Sequence, residues 1–326
     1  MCSTTRSGPT PRPPQVDEAV EMAREAGAKA VIGIGGGSAI DTGKSAAILL
    51  EHPGKTCRML FEMEFTPTKA LPVIAINLTH GTGTEANRVA VLTIPEKNYK
   101  PAIAYDCIYP KYSIDDPALM VSLPRDQTSY VSIDAVNHVV EAASSILRNP
   151  LTVTMARETV ELVGRYLPPA LKNPGDLEAR YFLTYASMIG GAAFDNSLLH
   201  LTHALEHPLS AVRPEVTHGL GLAILLPAVV EAIYAQTADI LGYVLEPVVP
   251  GLKGAANEAA AAGRGVKSWL ASVGVKETLA DVGFEAKDIP ELADLVFTTP
   301  GLSGLLALAP IEGSRAVVEK IYADSF

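Results

Sequence analysis

The sequence predicts an α/β protein in which a mostly parallel sheet domain is followed by an all-helical domain. The length of 326 residues suggests about two domains. Up to about Asp116-Pro117, short apolar runs alternate with helical patterns, which is typical of a parallel sheet covered by helices. Beyond that point strand-like runs nearly vanish and long apolar periodic segments take over. We therefore expect a disordered N-terminus over residues 1–14, an α/β domain over 15–118 and a helical domain over 119–326.

The helices and strands of the first domain are predicted from apolar runs and from the glycines that end or separate them. A helical pattern over residues 16–26 ends at Gly27, which is a good stop residue. The run 28–34 (AKAVIGI) reads as a buried strand, and Gly35-Gly36-Gly37 turns the chain into a helix that Ser38 opens. Further strands are predicted over 71–78, 89–94 and 102–105.

Composition excludes several classes of partner and location. The formal net charge is −10, and such an acidic chain is a poor match for nucleic acid or an anionic membrane. The cysteines, Cys2, Cys57 and Cys107, form no CxxC pair, which indicates free thiols in a reducing cytoplasm. Residues 1–14 contain four prolines and no apolar core, so they do not resemble a signal peptide. Apolar runs such as 220–230 are too short to span a bilayer.

The first glycine turn predicts a phosphate site. Glycines let the backbone approach a ligand closely, and the free N–H groups of the following helix attract an anion. The sequence Gly35-Gly36-Gly37-Ser38 departs from GxGxxG at Ser38 and from the P-loop by one residue of spacing. A tight turn without a ligand remains the alternative, with Asp41 and Lys44 as an ordinary surface pair.

A second turn, Thr79 to Glu85, is also rich in glycine and hydroxyl groups and follows a predicted strand. It could hold a second phosphate or a ribose, or be a turn alone.

Carboxylate and imidazole groups in the helical half predict a metal site. Asp134, His138 and Glu141 share a helix face, because residues three or four apart lie on the same side. A second group comprises His200, His203, His207 and, after a loop, His218. Such ligands suit a divalent first-row metal. The spacing leaves open which histidines are ligands, which ones orient a ligand, and whether some only pack in a core.

These motifs together resemble the iron-containing alcohol dehydrogenase family, also called group III. The resemblance covers nearly the whole chain from about residue 11. The motifs that carry it are Gly35-Gly36-Gly37-Ser38 with Asp41 and Lys44 (GGGSxxDxxK), Gly81-Thr82-Gly83-Thr84-Glu85, Asp134-Ala135 with His138 and Glu141 (DAxxHxxE), and residues 203–227 (HALEHPL…HGLGLAILLP).

The resemblance implies a cofactor domain followed by an all-helical metal-binding domain, with the active site in the cleft between them. The implied metal ligands are Asp134, His138, His203 and His218, while His207 would be a further cleft histidine near substrate and cofactor. The implied cofactor-binding residues are Gly36, Gly37, Ser38 and Asp41 on the first turn, Thr79 and Thr82 on the second, and Lys100 at the nicotinamide ribose. The expected cofactors are Fe²⁺, with Zn²⁺ as a possible substitute, and NAD or NADP.

The chain also departs from the family pattern. Thr84 stands where a serine is usual, and Leu78-Thr79-His80 replaces Thr-Thr-Ala. The spacing from His207 to His218 is one residue longer than the family pattern, so the loop that carries His218 is expected to be reshaped. Family members usually carry strands and helices before the segment that begins here near Pro11. The expected fold is therefore an incomplete Rossmann-like parallel sheet with an exposed edge, weaker nucleotide binding and poorer stability.

The implied function is metal-dependent hydride transfer between NAD(P) and a small primary alcohol or its aldehyde, by a cytoplasmic enzyme that is expected to be a homodimer. The metal would act as a Lewis acid and His207 would relay the proton. Two alternatives remain. One is a catalytically impaired truncated remnant. The other is a dehydroquinate-synthase-like lyase, which needs several basic residues near the histidines, where Arg213 is the closest.

Overall fold

The computed structural model describes residues 10–326. The predicted disorder of residues 1–14 therefore falls mainly outside the described residues. Within them, Pro13 and Pro14 already form the first turn of helix α1, where proline is well tolerated because its missing N–H has no partner at that position.

The strands form two small sheets. Their bounds are β1 Val31–Gly35, β2 Val73–Asn77, β3 Val89–Val91, β4 Ala102–Ala104 and β5 Tyr112–Ile114. Strands β1, β2 and β5 pair in that order as a parallel sheet. Strands β3 and β4 form a separate antiparallel pair. The strands predicted over 89–94 and 102–105 thus exist, in shorter form, but do not extend the parallel sheet.

The parallel sheet is covered on one face by helices. Gly33 of β1 lies so close to helix α2 that a Cβ there would be 2.9 Å from the Cα of Ile40. On the opposite face, the register aligns Ile34 of β1 with Ile114 of β5 through Ile76, and Ile34 is 59% exposed. The sequence predicted that one edge of this sheet would be exposed. Within residues 10–326, the apolar side chains on one whole face of the sheet are exposed as well.

The helices account for most of the chain. Their bounds are α1 Pro13–Glu25, α2 Gly37–Leu50, α3 Cys57–Phe61, α4 Arg125–Ser144, α5 Pro150–Lys172, α6 Leu177–Ser197, α7 Leu201–Val212, α8 His218–Leu245, α9 Ala259–Ser272, α10 Ile289–Thr298, α11 Leu302–Leu306 and α12 Arg315–Ala323. The predicted boundary between residues 118 and 119 stays a prediction, and the first long helix after it is α4.

Local signals set the ends of the long helices. Asn149 caps α5 by accepting from the backbone N–H groups of Leu151 and Thr152, with Pro150 as the first helical residue. Asp176 caps α6 in the same way through the N–H of Ala179. These caps satisfy donors that a helix leaves unpaired at its start, and they fix where each helix enters the bundle.

Helix α8 packs against α4, α5, α7, α9 and α12. It is 28 residues long and apolar enough by length and composition to cross a membrane, but 67% of its most apolar window is buried inside the protein. The apolar run 220–230 lies inside this helix, which extends beyond the run at both ends. Its burial, with Val229, Val230 and Ile233 fully enclosed, is that of a core helix.

Candidate functional site

The two glycine turns meet at the carboxyl ends of β1 and β2. A Cβ on Gly36 would lie 2.9 Å from Cγ2 of Thr79, and a Cβ on Gly37 would lie 2.8 Å from Cγ2 of Thr82. The close packing leaves no room for a side chain at either glycine. The first turn leads into α2, whose N-terminal N–H groups can receive an anion, and Ser38 lines the same cleft.

Asp41 and Lys44 tie α2 to the second turn. The carboxylate of Asp41 accepts from Oγ1 of Thr84 at 2.6 Å and from the N–H of Val91 at 3.0 Å. The ammonium of Lys44 donates to the carbonyls of Thr84 and Asn87 at 2.6 and 2.8 Å. Burial lowers the pKa of Lys44 to about 8. The alternative of an ordinary surface pair was wrong, because both side chains are buried.

The structure thus gives each oxygen of Asp41 a protein donor. Its predicted contact with the cofactor stays a prediction, although the residue lines the cleft.

Helix α4 brings Asp134 and His138 to the lining of the cleft, while Glu141 of the same helix is fully buried. Nε2 of His138 lies 3.3 Å from Oδ1 of Asp134, and the ring of His138 is 4.5 Å from that of Phe194. Burial lowers the pKa of His138 to about 4, so its imidazole is neutral. Burial would raise the pKa of Asp134, but the neighbouring histidines outweigh it and lower that pKa.

Helix α7 presents His203 opposite Asp134. Nε2 of His203 is 3.6 Å from Oδ1 of Asp134. The carboxylate of Glu141 accepts from Nδ1 of His203 and also from the backbone N–H of Thr202 at 2.5 Å. Glu141 therefore orients His203 and caps the start of α7. Of the two roles that the spacing left open for it, the contacts favour the orienting one.

His200 has a structural role in these contacts. Its Nδ1 accepts from the N–H of Leu201 at 2.7 Å, and its Nε2 lies 2.9 Å from Oγ of Ser144. Both ring nitrogens are thereby engaged, and His200 acts as the N-cap of α7.

His218 is the first residue of α8 and completes the cluster. Potential ligand atoms of Asp134, His203 and His218 all lie within 4.8 Å of one another. Nδ1 of His218 contacts Oε2 of Glu206, which in turn lies 3.1 Å from Nζ of Lys100.

His207 stands one helical turn after His203. Its Nδ1 hydrogen-bonds the backbone carbonyl of Lys100 at 2.7 Å, so Nδ1 carries the proton and Nε2 is left as an acceptor. Burial, reinforced by the charge of Lys100, holds the pKa of His207 well below its usual value. The residue lines the cleft as a neutral imidazole.

The donor set fits a divalent metal. Among the candidate ligands, Oδ1 of Asp134 and Nε2 of His203 are buried atoms without a hydrogen-bond partner. His138 lies outside the group of ligand atoms that Asp134, His203 and His218 bring within 4.8 Å of one another, and its unpartnered nitrogen is Nδ1, not the Nε2 that faces Asp134. A buried polar atom without a partner is costly, and a metal ion would satisfy it. One carboxylate with imidazoles is a ligand set for Fe²⁺ or Zn²⁺. Glu206, His207 and His218 form a second group whose ligand atoms lie within 4.8 Å of one another. Oε2 of Glu206 is shared by Lys100 and His218, whereas its Oε1 is buried without a hydrogen-bond partner.

All predicted site residues line one cleft of about 1450 Å³. The residues of the phosphate turn and the histidines both line this cleft. Sequence reasoning missed the apolar wall beside the histidines, which comprises Phe194, Leu198, Leu199, Leu302 and Leu305. It also missed Glu206 and Ser210 as partners of Lys100. The signal that could have found Glu206 is its position three residues after His203 on the same helix, but helical periodicity carries no sign of a partner more than 100 residues earlier.

Family models match both halves of the chain. Residues 2–117 match iron-containing alcohol dehydrogenase, and residues 128–326 match the C-terminal domain of the Fe-containing alcohol dehydrogenase family.

Individual proteins with similar sequences are also alcohol dehydrogenases. Long-chain primary alcohol dehydrogenase AdhA of Thermoanaerobacter ethanolicus is 59% identical over 98% of this chain and 80% of its own length. The 1,3-propanediol dehydrogenase of Klebsiella pneumoniae is 30% identical over 98% of this chain and 81% of its own.

Solved structures superpose on the chain closely. The archaeal Red Sea brine pool alcohol dehydrogenase ADH/D1, bound to NZQ, gives a TM-score of 0.91 at 27% identity, covering 99% of this chain and 83% of its own. NADH-dependent butanol dehydrogenase A of Thermotoga maritima gives 0.89 at 27% identity, covering 98% and 82%. The chain therefore belongs to the iron-containing alcohol dehydrogenase family, with Fe²⁺ and NAD(P) as cofactors and an alcohol or aldehyde as substrate.

Proposed function

We propose that this chain interconverts primary alcohols and aldehydes at the cleft between the glycine turns and the histidine cluster, with hydride exchanged with NAD(P). The observation that carries the proposal is that both sets of residues open into the same cleft. Hydride transfer requires the nicotinamide and the reacting carbon to be held side by side, and such a shared cleft allows it.

Asp134, His138, His203 and His218 are the proposed metal ligands. The metal supplies Lewis-acid polarisation of the alcohol or carbonyl oxygen when bound. The contribution of the protein is orientation. Glu141 accepts from Nδ1 of His203, which leaves Nε2 of that ring directed toward Asp134.

His207 is the proposed proton-transfer residue. Because its Nδ1–H is donated to the carbonyl of Lys100, the free Nε2 can accept the hydroxyl proton of an alcohol in the cleft. In the reverse reaction the same atom returns the proton. A neutral imidazole in a largely buried position suits this exchange.

The proposed pyrophosphate site is the first turn, where Gly36, Gly37 and Ser38 precede α2. Thr79 and Thr82 pack on those glycines and would contact the cofactor from the second turn. The close contacts explain why both positions need glycine, and the N–H groups at the start of α2 are the donors that support the placement.

We propose an aliphatic primary alcohol as substrate. The apolar residues Phe194, Leu198, Leu199, Leu302 and Leu305 line the same cleft as the histidines, and the ring of Phe194 is 4.5 Å from that of His138. This wall suits chains longer than the small alcohols first expected, and the 59% identical relative is named for long-chain primary alcohols. If the proposal holds, kcat/KM should rise from ethanol to hexanol, since each buried CH₂ contributes about 0.8 kcal/mol. A flat or falling series would contradict it.

The decisive experiment is a fluorescence titration of Fe²⁺-loaded protein with NADH and with NADPH, followed by turnover of butanol and butanal. Saturable binding of one nucleotide with turnover supports the dehydrogenase and identifies the preferred cofactor. Folded protein that binds neither nucleotide would contradict the proposal and favour the impaired-remnant alternative.

We also propose a cytoplasmic homodimer. The cysteines within the described residues, Cys57 and Cys107, are free thiols, as suits a reducing compartment. The open apolar sheet face offers surface that a second copy could cover. Sedimentation equilibrium would test the dimer, and a mass equal to one chain at micromolar concentration would contradict it.

A further inference from the structure

Glu206 is a fully buried carboxylate that touches residues of both domains. Its Oε2 accepts from Nζ of Lys100 at 3.1 Å and contacts Nδ1 of His218. It is held in place by α8, because a Cβ on Gly221 would lie 2.8 Å from Cγ of Glu206. An isolated carboxylate at this depth would be very costly, so its charge requires these partners.

Lys100 supplies the balancing charge from the α/β domain. It lies in the segment just before β4, its side chain is only 4% exposed, and its ammonium also donates to Oγ of Ser210 at 2.8 Å. Its backbone carbonyl accepts the Nδ1–H of His207. One residue thus fixes Glu206 through its side chain and His207 through its main chain.

The contacts determine which nitrogen of His218 carries the proton. An ionised carboxylate only accepts hydrogen bonds, so its contact with Nδ1 requires a proton there. Nζ of Lys100 also lies 3.0 Å from Nδ1, but a protonated Nδ1 has no lone pair to accept from it, and the hydrogen bonds of Lys100 go to Glu206 and Ser210. With Nδ1 protonated, the lone pair of His218 is on Nε2.

We propose that Glu206 and Lys100 form a positioning pair that holds His218 in the tautomer and orientation needed to bind the metal. The inference rests on the proposed function, because it takes His218 as a ligand. It makes one metal ligand of the helical domain depend on a lysine of the α/β domain. It also gives Lys100 a role different from the ribose contact that the family resemblance implies.

The test measures metal affinity rather than activity. Zn²⁺ dissociation constants are obtained by chelator competition for the wild-type protein, Glu206→Met and Glu206→Gln. Methionine has a similar size but accepts no strong hydrogen bond, so Glu206→Met should weaken Zn²⁺ binding by about 10- to 100-fold. Glutamine keeps one oxygen acceptor, and Glu206→Gln should recover part of that loss. The visible spectrum of Co²⁺-loaded protein should change in Glu206→Met, because the geometry at the metal changes.

Lys100→Met and the double variant Lys100→Met/Glu206→Met test the pairing. Lys100 acts through Glu206, so the double variant should bind Zn²⁺ no more weakly than Glu206→Met alone. The double variant removes both buried charges, so any loss of Zn²⁺ affinity in it is not caused by misfolding around a single unpaired charge. The control is Glu215→Gln on the loop before α8, where the carboxylate is 67% exposed and lies 3.7 Å from Arg213, and it should leave Zn²⁺ affinity unchanged.

The possible results are distinguishable. Unchanged Zn²⁺ affinity and an unchanged Co²⁺ spectrum in folded Glu206→Met would overturn this inference and leave the proposed function standing. If Lys100→Met loses NADH affinity but keeps its Zn²⁺ affinity, the inference is overturned. Lys100 would then contact the nicotinamide ribose, as the family resemblance implies. Wild-type protein that binds no metal would overturn both this inference and the proposed function.

Discussion

Each histidine that faces the histidine cluster from α7 or α8 is held through its Nδ1. Glu141 accepts from His203, Glu206 contacts His218, and the carbonyl of Lys100 accepts from His207. All three rings therefore present Nε2 to the cleft. A hydrogen bond at one ring nitrogen is the usual way in which proteins choose the tautomer and orientation of a metal-binding or proton-transferring histidine.

At this scale the roles of the histidines can be separated by one substitution. His207→Ala removes the proposed proton acceptor but none of the proposed ligands. We expect kcat to fall by about 100-fold or more, in line with the usual contribution of a general base, while bound iron stays near the wild-type amount. Metal analysis and steady-state kinetics on the same preparation check this. A variant that loses its metal would instead identify His207 as a ligand.

A second residue-scale prediction concerns Glu85, which is buried with both carboxylate oxygens unpartnered. Burial and the nearby charge of Asp115 outweigh the attraction of Lys44 and raise the pKa of Glu85 to about 8. Between its ordinary value of 4.5 and about 8, the folded state binds the proton that the unfolded state has lost. The contribution of Glu85 to stability is therefore present below pH 4.5 and is lost as pH rises through 8.

Glu85→Gln should remove this pH dependence. At pH 8 the variant should unfold at a higher temperature than the wild-type protein, by about 2–4 °C for each kcal/mol relieved, and the two should converge near pH 4.5. Thermal unfolding at several pH values measures the effect, with exposed Glu64→Gln as the matched control. A wild-type advantage at pH 8 would show that Glu85 is ionised and paired.

The ligand candidates could be predicted from the sequence because they recur at helical spacing on α4 and α7. The groups that orient them could be predicted only in part. Glu141 lies on the same helix face as Asp134, so periodicity pointed to it. The partner of Glu206 is Lys100, which is 106 residues earlier in the chain, and only the folded structure brings them together.

At the scale of elements, the second glycine turn and helix α6 are packed backbone to backbone. Gly83 adopts a left-handed conformation with φ of 58°, and a Cβ on Gly191 would lie 2.3 Å from its carbonyl oxygen. The same turn carries Thr82, which packs on Gly37 of the phosphate turn. The position of α6 therefore helps to set the geometry of the proposed cofactor site.

Gly191→Ala should force α6 away from this turn. Alanine normally stabilises a helix relative to glycine. Here the collision of its Cβ with the carbonyl of Gly83 should dominate and destabilise the protein by about 1–3 kcal/mol. A lower urea midpoint together with weaker NADH binding would support the packing role. Gly304→Ala on α11 is the control, because a Cβ there meets no atom within 4 Å. A Gly191→Ala midpoint equal to or above that of the wild type would contradict the prediction.

The sequence predicted best those elements that have a long periodic pattern or a clear boundary signal. Helix α2, which begins at the triglycine turn, is an example. Strand β5 was missed because it has only three residues, Tyr112 to Ile114, and each of them is exposed. Its strand conformation depends on pairing with β2 rather than on any local pattern. The antiparallel pairing of β3 and β4 is likewise set by tertiary contacts.

At the scale of the whole molecule, the main anomaly is the open face of the parallel sheet. Ile32 and Ile34 are 49% and 59% exposed, and Tyr112 on β5 is 72% exposed in the same layer. The chain spans about 80% of the length of its 59% identical relative. Adjacent exposed apolar residues on a sheet favour association with another surface, because burial removes them from water.

We therefore expect concentration-dependent self-association that a charge on this face weakens. Ile34→Lys places an ammonium in the middle of the layer, between Ile32 and the aligned Ile76. Burying that charge against a second copy would be costly, so the dissociation constant measured by sedimentation should rise by at least about tenfold. Leu151→Lys, at a 53% exposed position of α5, adds the same charge away from the sheet and should leave association unchanged. Equal effects of the two variants would mean that net charge, and not this face, controls association.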